Sequence, residues 1–254
     1  MNKIKLGISG ISGKMGKKLL EIASEDNAFE VVAGFHNSDE DIQSVKCYSD
    51  VKDFISNIDI CIDFSSRDNL IKLLHESILF NNIPIVSGTT GLSEKDHAEL
   101  MSYGEIAKIF WASNFSIGIS IFKNILEKLL PIITKYDFDI ELLERHHKLK
   151  KDAPSGTALS LLKQIAEFKN QSLENTIHYN SKENPKHENG KVGVAFQRGG
   201  GIIGEHEISF LGAFEELSIK HVAYDRKVFA NGALTVAKWL LQQRNGYYSM
   251  ENIF

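Results

Sequence analysis

Lys3-Ile4-Lys5-Leu6-Gly7-Ile8-Ser9-Gly10-Ile11-Ser12-Gly13-Lys14-Met15-Gly16 is the stretch that decides the fold. Lys3–Ser9 alternates into a short apolar strand that stops at Gly10, and a helical pattern runs from about Met15 to Ala23. Between them Gly10, Gly13 and Gly16 give G-x-x-G-x-x-G, a relative of the dinucleotide fingerprint G-x-G-x-x-G. Glycine permits the tight turn and lets the backbone approach a pyrophosphate, which then rests on the helix N-terminus. Turns use glycine freely, so the triplet alone says little. Between a strand and a helix it predicts nucleotide binding.

Further along the chain, Glu30–Phe35, Asp59–Phe64, Ile83–Ser87 and Ile106–Trp111 read as strands, with helices over Asn69–Phe80 and Glu94–Tyr103. Alternation at this spacing implies a parallel sheet with helices on both faces. After about Asn114 the pattern changes. A helix near Ile117–Leu130 leads to a strand at Phe138–Leu143 and a helix at Ala158–Phe168. Asn170–Gly190 reads as a long polar surface loop. The runs Val192–Gln197, Glu207–Leu211 and Leu217–Val222 are strands without intervening helices, hence a mixed or antiparallel sheet in a second domain. The last helix, about Ala233–Gln243, is expected to return to the first domain. The expected division is therefore residues 1–113 with 226–254, and 114–225.

Composition narrows the function. At 254 residues, 43% hydrophobic and 24% charged, the chain is ordinary for one large or two modest globular domains. A net charge of −4 argues against general nucleic-acid binding, and no apolar run approaches the ~20 residues of a membrane span. Cys47 and Cys61 offer neither a disulfide framework nor a metal-ligand spacing. With no secretory segment at the start, they fit a reducing cytoplasm.

The usual ribose-binding acid at the end of the second strand is replaced by His36 and Asn37, with Asp39 and Glu40 further on. Lys14 lies inside the glycine loop, where it can meet a 2′-phosphate. This pattern leans toward NADPH or toward use of both cofactors. Gly88-Thr89-Thr90-Gly91 and Ala112-Ser113-Asn114-Phe115 follow strands at the carboxyl edge, where ligands bind in open α/β sheets.

The run Glu144-Arg145-His146-His147-Lys148-Leu149-Lys150-Lys151-Asp152-Ala153-Pro154-Ser155-Gly156-Thr157-Ala158 concentrates cations and titratable imidazoles before a helix start. Read as a site, it takes a small carboxylate-rich substrate that gains or loses a proton. Like charge from Lys148, Lys151 and His146 would make Lys150 a better acid. Read blandly, it is a solvated basic turn before a capped helix.

Taken together, G-I-S-G-K-M-G, G-T-T-G, A-S-N-F-S-I-G, E-R-H-H-K-L-K-K-D-A-P-S-G-T-A and F-A-N-G-A resemble the dihydrodipicolinate reductase family, in family order from residue 10 to residue 233. The resemblance implies a Rossmann-type parallel-sheet domain plus an α+β substrate and oligomerisation domain with a mixed sheet. It implies reduction of 4-hydroxy-tetrahydrodipicolinate to tetrahydrodipicolinate, with NADPH or NADH, in the diaminopimelate route to lysine. It also implies a homotetramer built through the second domain's sheet. His146 and Lys150 match the proton-donating pair, and His147, Ser155, Gly156 and Thr157 the contacts to substrate carboxylates. Gly10 to Met15 would hold the pyrophosphate, with His36 and Asn37 by the adenosine ribose. Gly88, Thr89, Thr90 and Ala112 to Phe115 would lie beside the nicotinamide half, and Arg226 at the hinge on the cofactor side. Two departures stand out. His36-Asn37 replaces an acid followed by Arg, and Phe64-Ser65-Ser66 replaces F-T-R, with Arg67 one place late. Another two-domain nicotinamide dehydrogenase, or a sensor that has lost its chemistry, would not account for H-H-x-x-K beside S-G-T.

Overall fold

In the computed structural model, which describes residues 2–179 and 186–254, the chain forms two compact units, Met1–Ser116 with Arg226–Phe254 and Ile117–Asp225. The first unit runs β1 (Ile4–Ser9), α1 (Lys14–Glu25), β2 (Phe29–Phe35), β3 (Cys47–Tyr48), α2 (Val51–Ile55), β4 (Ile60–Asp63), α3 (Arg67–Phe80), β5 (Ile85–Ser87), α4 (Glu94–Gly104) and β6 (Lys108–Trp111). The second contains α5 (Ile117–Ile133), β7 (Asp139–His146), α6 (Gly156–Phe168), α7 (Leu173–Thr176), β8 (Ile177–Tyr179), β9 (Val192–Arg198), β10 (Gly204–Leu211) and β11 (Glu216–Ala223). The chain then returns to the first unit through α8 (Lys227–Leu241) and β12 (Gly246–Tyr248).

The seven strands of the first sheet are all parallel, in the order β12-β6-β5-β4-β1-β2-β3. Successive residues of β4 point to opposite faces and bury both. Ile60 and Ile62 join Leu6 and Ile8 under α1 and α8, while Cys61 joins Ile85 and Ile109 under α2, α3 and α4. Each fully buried Leu or Ile contributes about 1.5–3 kcal/mol before the ordering entropy that offsets it. Strand order reverses between β1 and β4, which makes their carboxyl ends the ligand crevice of such a sheet. The glycine turn springs from that point.

The second sheet is mixed, in the order β11-β10-β7-β9-β8. β10 is antiparallel to β7 and β11, whereas β9 is parallel to β7 and β8. Ile140 and Leu142 point toward α5 and α6 and form the core there with Leu126, Leu161 and Ile165.

Several boundaries differ from expectation for physical reasons. β7 runs on to His146 because Glu144 and His146 keep the inward alternation of Ile140 and Leu142, so charged residues continue a strand that composition would end. β10 likewise starts at Gly204, with Glu205 and His206 buried. The span Asn170–Gly190 holds α7 and β8 within its described residues, and residues 180–185 lie outside them. α8 begins at Lys227, ahead of Asn231-Gly232. A Cβ on Gly232 would meet the Phe115 carbonyl at 1.8 Å, so this glycine serves a close approach rather than a helix break.

Candidate active site

Gly10 takes φ +77°, and a Cβ on Gly16 would stand 2.2 Å from the Gly10 carbonyl, so neither position accepts a side chain without moving the turn. Gly13 caps α1 with no side-chain hydrogen bond, and no acid stands in the first turn. The helix start is thus bare of capping groups, as a bound pyrophosphate requires. Ile11 buries its side chain in the core, which leaves only its backbone to face a ligand, while Ser12 and Lys14 are exposed. This cradle fits a dinucleotide.

The carboxyl edge around it is fixed by Asp63, the last residue of β4 and fully buried. Its Oδ1 accepts hydrogen bonds from Ser9 Oγ at 2.7 Å and from Ser65 Oγ. Its Oδ2 accepts from Ser87 Oγ at 2.8 Å and Thr89 Oγ1 at 2.7 Å. One carboxylate therefore ties together the ends of β1, β4 and β5, and with them the glycine turn and the Gly88–Gly91 turn. Thr90 stays exposed on that turn. On the neighbouring segment Ala112 and Phe115 are buried, Phe115 between the rings of Phe64 and Phe110, while Ser113 is exposed and Asn114 Oδ1 accepts from Ser116 N at 2.8 Å.

At the end of β2, His36 Nε2 lies 3.1 Å from the Glu40 carbonyl and Asn37 is exposed. Asp39 accepts from Ser49 N at 2.6 Å, so its carboxylate is spent locally. Arg67 is spent as well. Its Nε and one terminal nitrogen grip the buried Asp96 carboxylate at 2.8 and 2.5 Å, tying α3 to α4. Arg226 is exposed at the N-cap of α8.

In the second unit, sheet register gathers a separate cluster of titratable side chains. Glu144 lies opposite His206 of β10 and His146 opposite Arg198 of β9. Glu144 is fully buried; its Oε1 accepts from Arg198 Nη2 at 2.8 Å and Ser155 N at 3.1 Å, and its Oε2 lies 2.8 Å from His146 Nδ1. Burial alone would raise this carboxyl, but His146, Arg198 and Ser155 outweigh it and hold it at about 2. His206 is pushed down to about 4, first by burial and then by the charge of His146, so it is neutral at pH 7. The His146 and His206 rings meet edge to face at 5.1 Å. A Cβ on Gly204 would stand 3.2 Å from His146 Nε2, so glycine keeps that nitrogen uncovered.

Glu144, His146 and His206 are also metal-ligand types, with ligand atoms within 4.8 Å of one another. The guanidinium on the same carboxylate argues against a dication there. So does a 2.8 Å N···O separation, tighter than the roughly 3.3 Å between two ligands of a tetrahedral zinc.

Ser155 caps α6, its hydroxyl accepting from Ala158 N at 3.2 Å and lying 3.0 Å from His206 Nε2. Its polar atoms thus build the helix start rather than face outward. Gly156 is exposed with open space where a Cβ would be, and Thr157 follows it into a first turn without acids. His147 carries a buried Nδ1 with no hydrogen-bond partner among the described residues. The Lys150 ammonium meets the Asp152 carboxylate at 2.8–2.9 Å, which corrects the picture of a purely cationic surround. That ammonium holds the Asp152 carboxyl below its usual value. Arg198 also donates to the Asp152 carbonyl at 2.7 Å, and Gly199 N to the His146 carbonyl at 2.9 Å, so the two loops brace each other.

Sequence reasoning missed Asp63, Glu144, Arg198 and His206. Each left a signal: an acid ending the apolar run I-C-I-D beside two other strands that end in serine, a second acid at inward spacing before His146, and Arg and His flanking G-G-G-I-I-G-E.

A parallel sheet with a dinucleotide cradle, joined to a unit that presents imidazole, ammonium and an open helix start, is the build of a nicotinamide-dependent oxidoreductase. Family models described as the N-terminus and C-terminus of dihydrodipicolinate reductase match residues 4–115 and 118–254. The chain belongs to the dihydrodipicolinate reductase family. It is 37% identical to the 4-hydroxy-tetrahydrodipicolinate reductase of Clostridium novyi, covering 98% of this chain and 97% of that one. It is 38% identical to that of Caldanaerobacter subterraneus, covering 98% of each. Among solved structures, a dipicolinate-bound dihydrodipicolinate reductase from Paenisporosarcina sp. TG-14 shares the fold over the whole of both chains, with TM-score 0.80 at 24% identity. A myo-inositol dehydrogenase from Corynebacterium glutamicum shares it more loosely, with TM-score 0.60 at 11% identity over 96% of this chain and 90% of that one.

Proposed function

We propose that the chain performs the family's reaction, the reduction of 4-hydroxy-tetrahydrodipicolinate, with His146 and Lys150 handling the proton and the start of α6 holding a substrate carboxylate. When bound, reduced nicotinamide supplies the hydride. The cradle from Gly10 to Met15 holds its pyrophosphate. Gly88 to Thr90, the backbone of Ala112 to Phe115, His36, Asn37 and Arg226 complete the cofactor side. Hydride addition to an α,β-unsaturated imine builds negative charge that a nearby donor must quench. His146 Nε2, left uncovered by Gly204, and the Lys150 ammonium are the donors this unit offers. The N–H groups of Gly156 and Thr157 and the cation of His147, when protonated, suit a carboxylate at a helix N-terminus. Ser155 supports that helix start from behind.

The observation that carries this reading is the join of His146 to the α6 start through one buried carboxylate, Glu144. A solvated basic turn has no need of such a join. The same reading takes the enzyme to be cytoplasmic and a homotetramer through the second sheet; among the described residues no helix is long and apolar enough to cross a membrane.

The test is NADPH oxidation with substrate made fresh from pyruvate and aspartate semialdehyde. The enzyme should turn over, and Lys150→Ala and His146→Ala should each lower kcat by roughly 10²–10⁴-fold with NADPH affinity kept. Near-normal kcat in both variants would return the basic run to the status of a turn.

A further inference from the structure

The proton-donor reading of His146 leaves a question that the geometry answers. Glu144 Oε2 and His146 Nδ1 are buried, lie 2.8 Å apart, and among the described residues neither has a hydrogen bond to any other group. Oε1 of the same carboxylate is already taken by Arg198 and Ser155 N. A proton on Nδ1 satisfies both orphan atoms, and it forces the neutral ring to carry its lone pair on Nε2, the nitrogen that Gly204 leaves open.

We propose that Glu144 is a positioning residue that fixes the tautomer and orientation of His146, so that Nε2 is the nitrogen that gives its proton and takes it back. Before transfer the imidazolium carries a proton on each nitrogen, with Nδ1–H directed at Glu144. The Nε2–H bond breaks as the substrate gains that proton, and the ring is left neutral with its remaining proton still on Glu144. Glu144 favours both the charged donor and the correct neutral product, as the buried acid does for the histidine of a Ser-His-Asp triad. Its own ionisation is secured against burial by His146, Arg198 and Ser155 N, which keep it a carboxylate throughout the working pH range.

The charged and titratable groups around His146 are Glu144 on β7, His206 on β10, Arg198 at the end of β9 and Lys150 in the following loop, with His221 of β11 behind His206. Glu144→Gln changes only the first. An amide oxygen still accepts from Arg198 and Ser155 N, so the α6 start is preserved. The amide nitrogen, however, offers Nδ1 a donor where it needs an acceptor.

This inference rests on the proton-donor role of His146, and the test separates the two. In wild-type protein, ring ¹⁵N spectra assigned by comparison with His146→Asn should show neutral His146 protonated at Nδ1. In Glu144→Gln the proton should move to Nε2. The basic limb of the kcat profile should fall by about one pH unit, because the imidazolium has lost its counter-charge. kcat should drop by roughly 10²-fold, with substrate KM and NADPH affinity changed far less. A purely structural Glu144 would lower the melting temperature and raise KM without moving the tautomer or the pH limb, and that outcome overturns the proposal. Wild-type His146 protonated at Nε2 when neutral overturns it as well, without need of a variant that folds. If His146→Ala keeps its kcat, the donor reading itself fails; if it loses kcat while Glu144→Gln leaves the limb in place, only the present inference does.

Discussion

Each unit buries one carboxylate completely at the heart of its site, and the two are satisfied in opposite ways. Asp63 in the nucleotide unit accepts from four neutral hydroxyls, those of Ser9, Ser65, Ser87 and Thr89. Glu144 in the second unit has a guanidinium and a backbone N–H on one oxygen, and on the other only an imidazole that can be charged or neutral. Hydroxyl hydrogen bonds hold a fixed shape and leave no atom open to change. A carboxylate with one oxygen against a titratable ring stays coupled to the proton that ring carries. The first arrangement suits a cradle that must simply be in place; the second suits a site whose charge alters during turnover.

The largest effect that tests this contrast is Asp63→Ala. Four buried or half-buried hydroxyls lose their acceptor and three strand ends lose their tie, so unfolding stability should fall by about 3–4 kcal/mol, allowing for partial re-pairing. Urea titration followed by tryptophan fluorescence reads it. NADPH affinity should weaken as the turns loosen, whereas kcat at saturating cofactor should stay within about threefold and its pH profile should not move. A shifted pH limb would show that Asp63 too takes part in proton chemistry, and the distinction between the two carboxylates would collapse.

Acid stability sharpens the comparison from the other side. The His206 value is depressed from 6.5 to about 4, so between those values the unfolded chain binds a proton that the folded chain refuses. Stability therefore rises with pH across that window and is lost as pH falls through it, by at most roughly 3–4 kcal/mol. Glu144, depressed from 4.5 to about 2, contributes stability that is present above pH 4.5 and lost below it. His206→Asn should flatten the stability curve between about pH 4 and 6.5 and leave the steeper loss below pH 4.5. Urea midpoints at pH 4.5 and 7 decide it; an unchanged slope would mean that His206 is not the group being forced to ionise.

The same difference explains what was legible in the sequence. The parallel sheet could be read because hydrophobic runs, glycines and strand–helix spacing are local signals. So could the cradle, whose glycines at positions 10, 13 and 16 stand within one turn, and the H-H-x-x-K run with S-G-T. Ser155 was legible as a helix cap but not as a group turned inward, because that depends on His206, which lies 51 residues away. Asp63 and its hydroxyls are joined across up to 54 residues, and Glu144 meets Arg198 only through the parallel register of β7 and β9. Composition describes an acid on a strand as exposed or terminal; only sheet pairing shows it facing inward. Arg67 teaches the reverse. It stands near the cofactor position by motif, yet Asp96, 29 residues on, holds it.

The smallest expected effect concerns the one exposed charge in the cradle. Lys14 opens α1 with its side chain in solvent, His36 and Asn37 supply no carboxylate at the end of β2, and Asp39 is committed to Ser49 N. Nothing among these residues repels a 2′-phosphate, and Lys14 attracts one weakly across solvent. NADPH should thus be used at least comparably to NADH. Lys14→Ala should raise KM for NADPH by about three- to fivefold, the ~1 kcal/mol ceiling of a solvated ion pair, and leave NADH unaffected. The difference should fade as salt rises, since an exposed pair is screened within ~10 Å at 0.1 M. Steady-state KM values for both cofactors at two salt concentrations are sufficient. A preference for NADH beyond roughly a hundredfold, ~2.7 kcal/mol, would mean that a group other than these three discriminates at the ribose. The neutral, hydroxyl-built character assigned to the nucleotide unit would then need a hidden charge of its own.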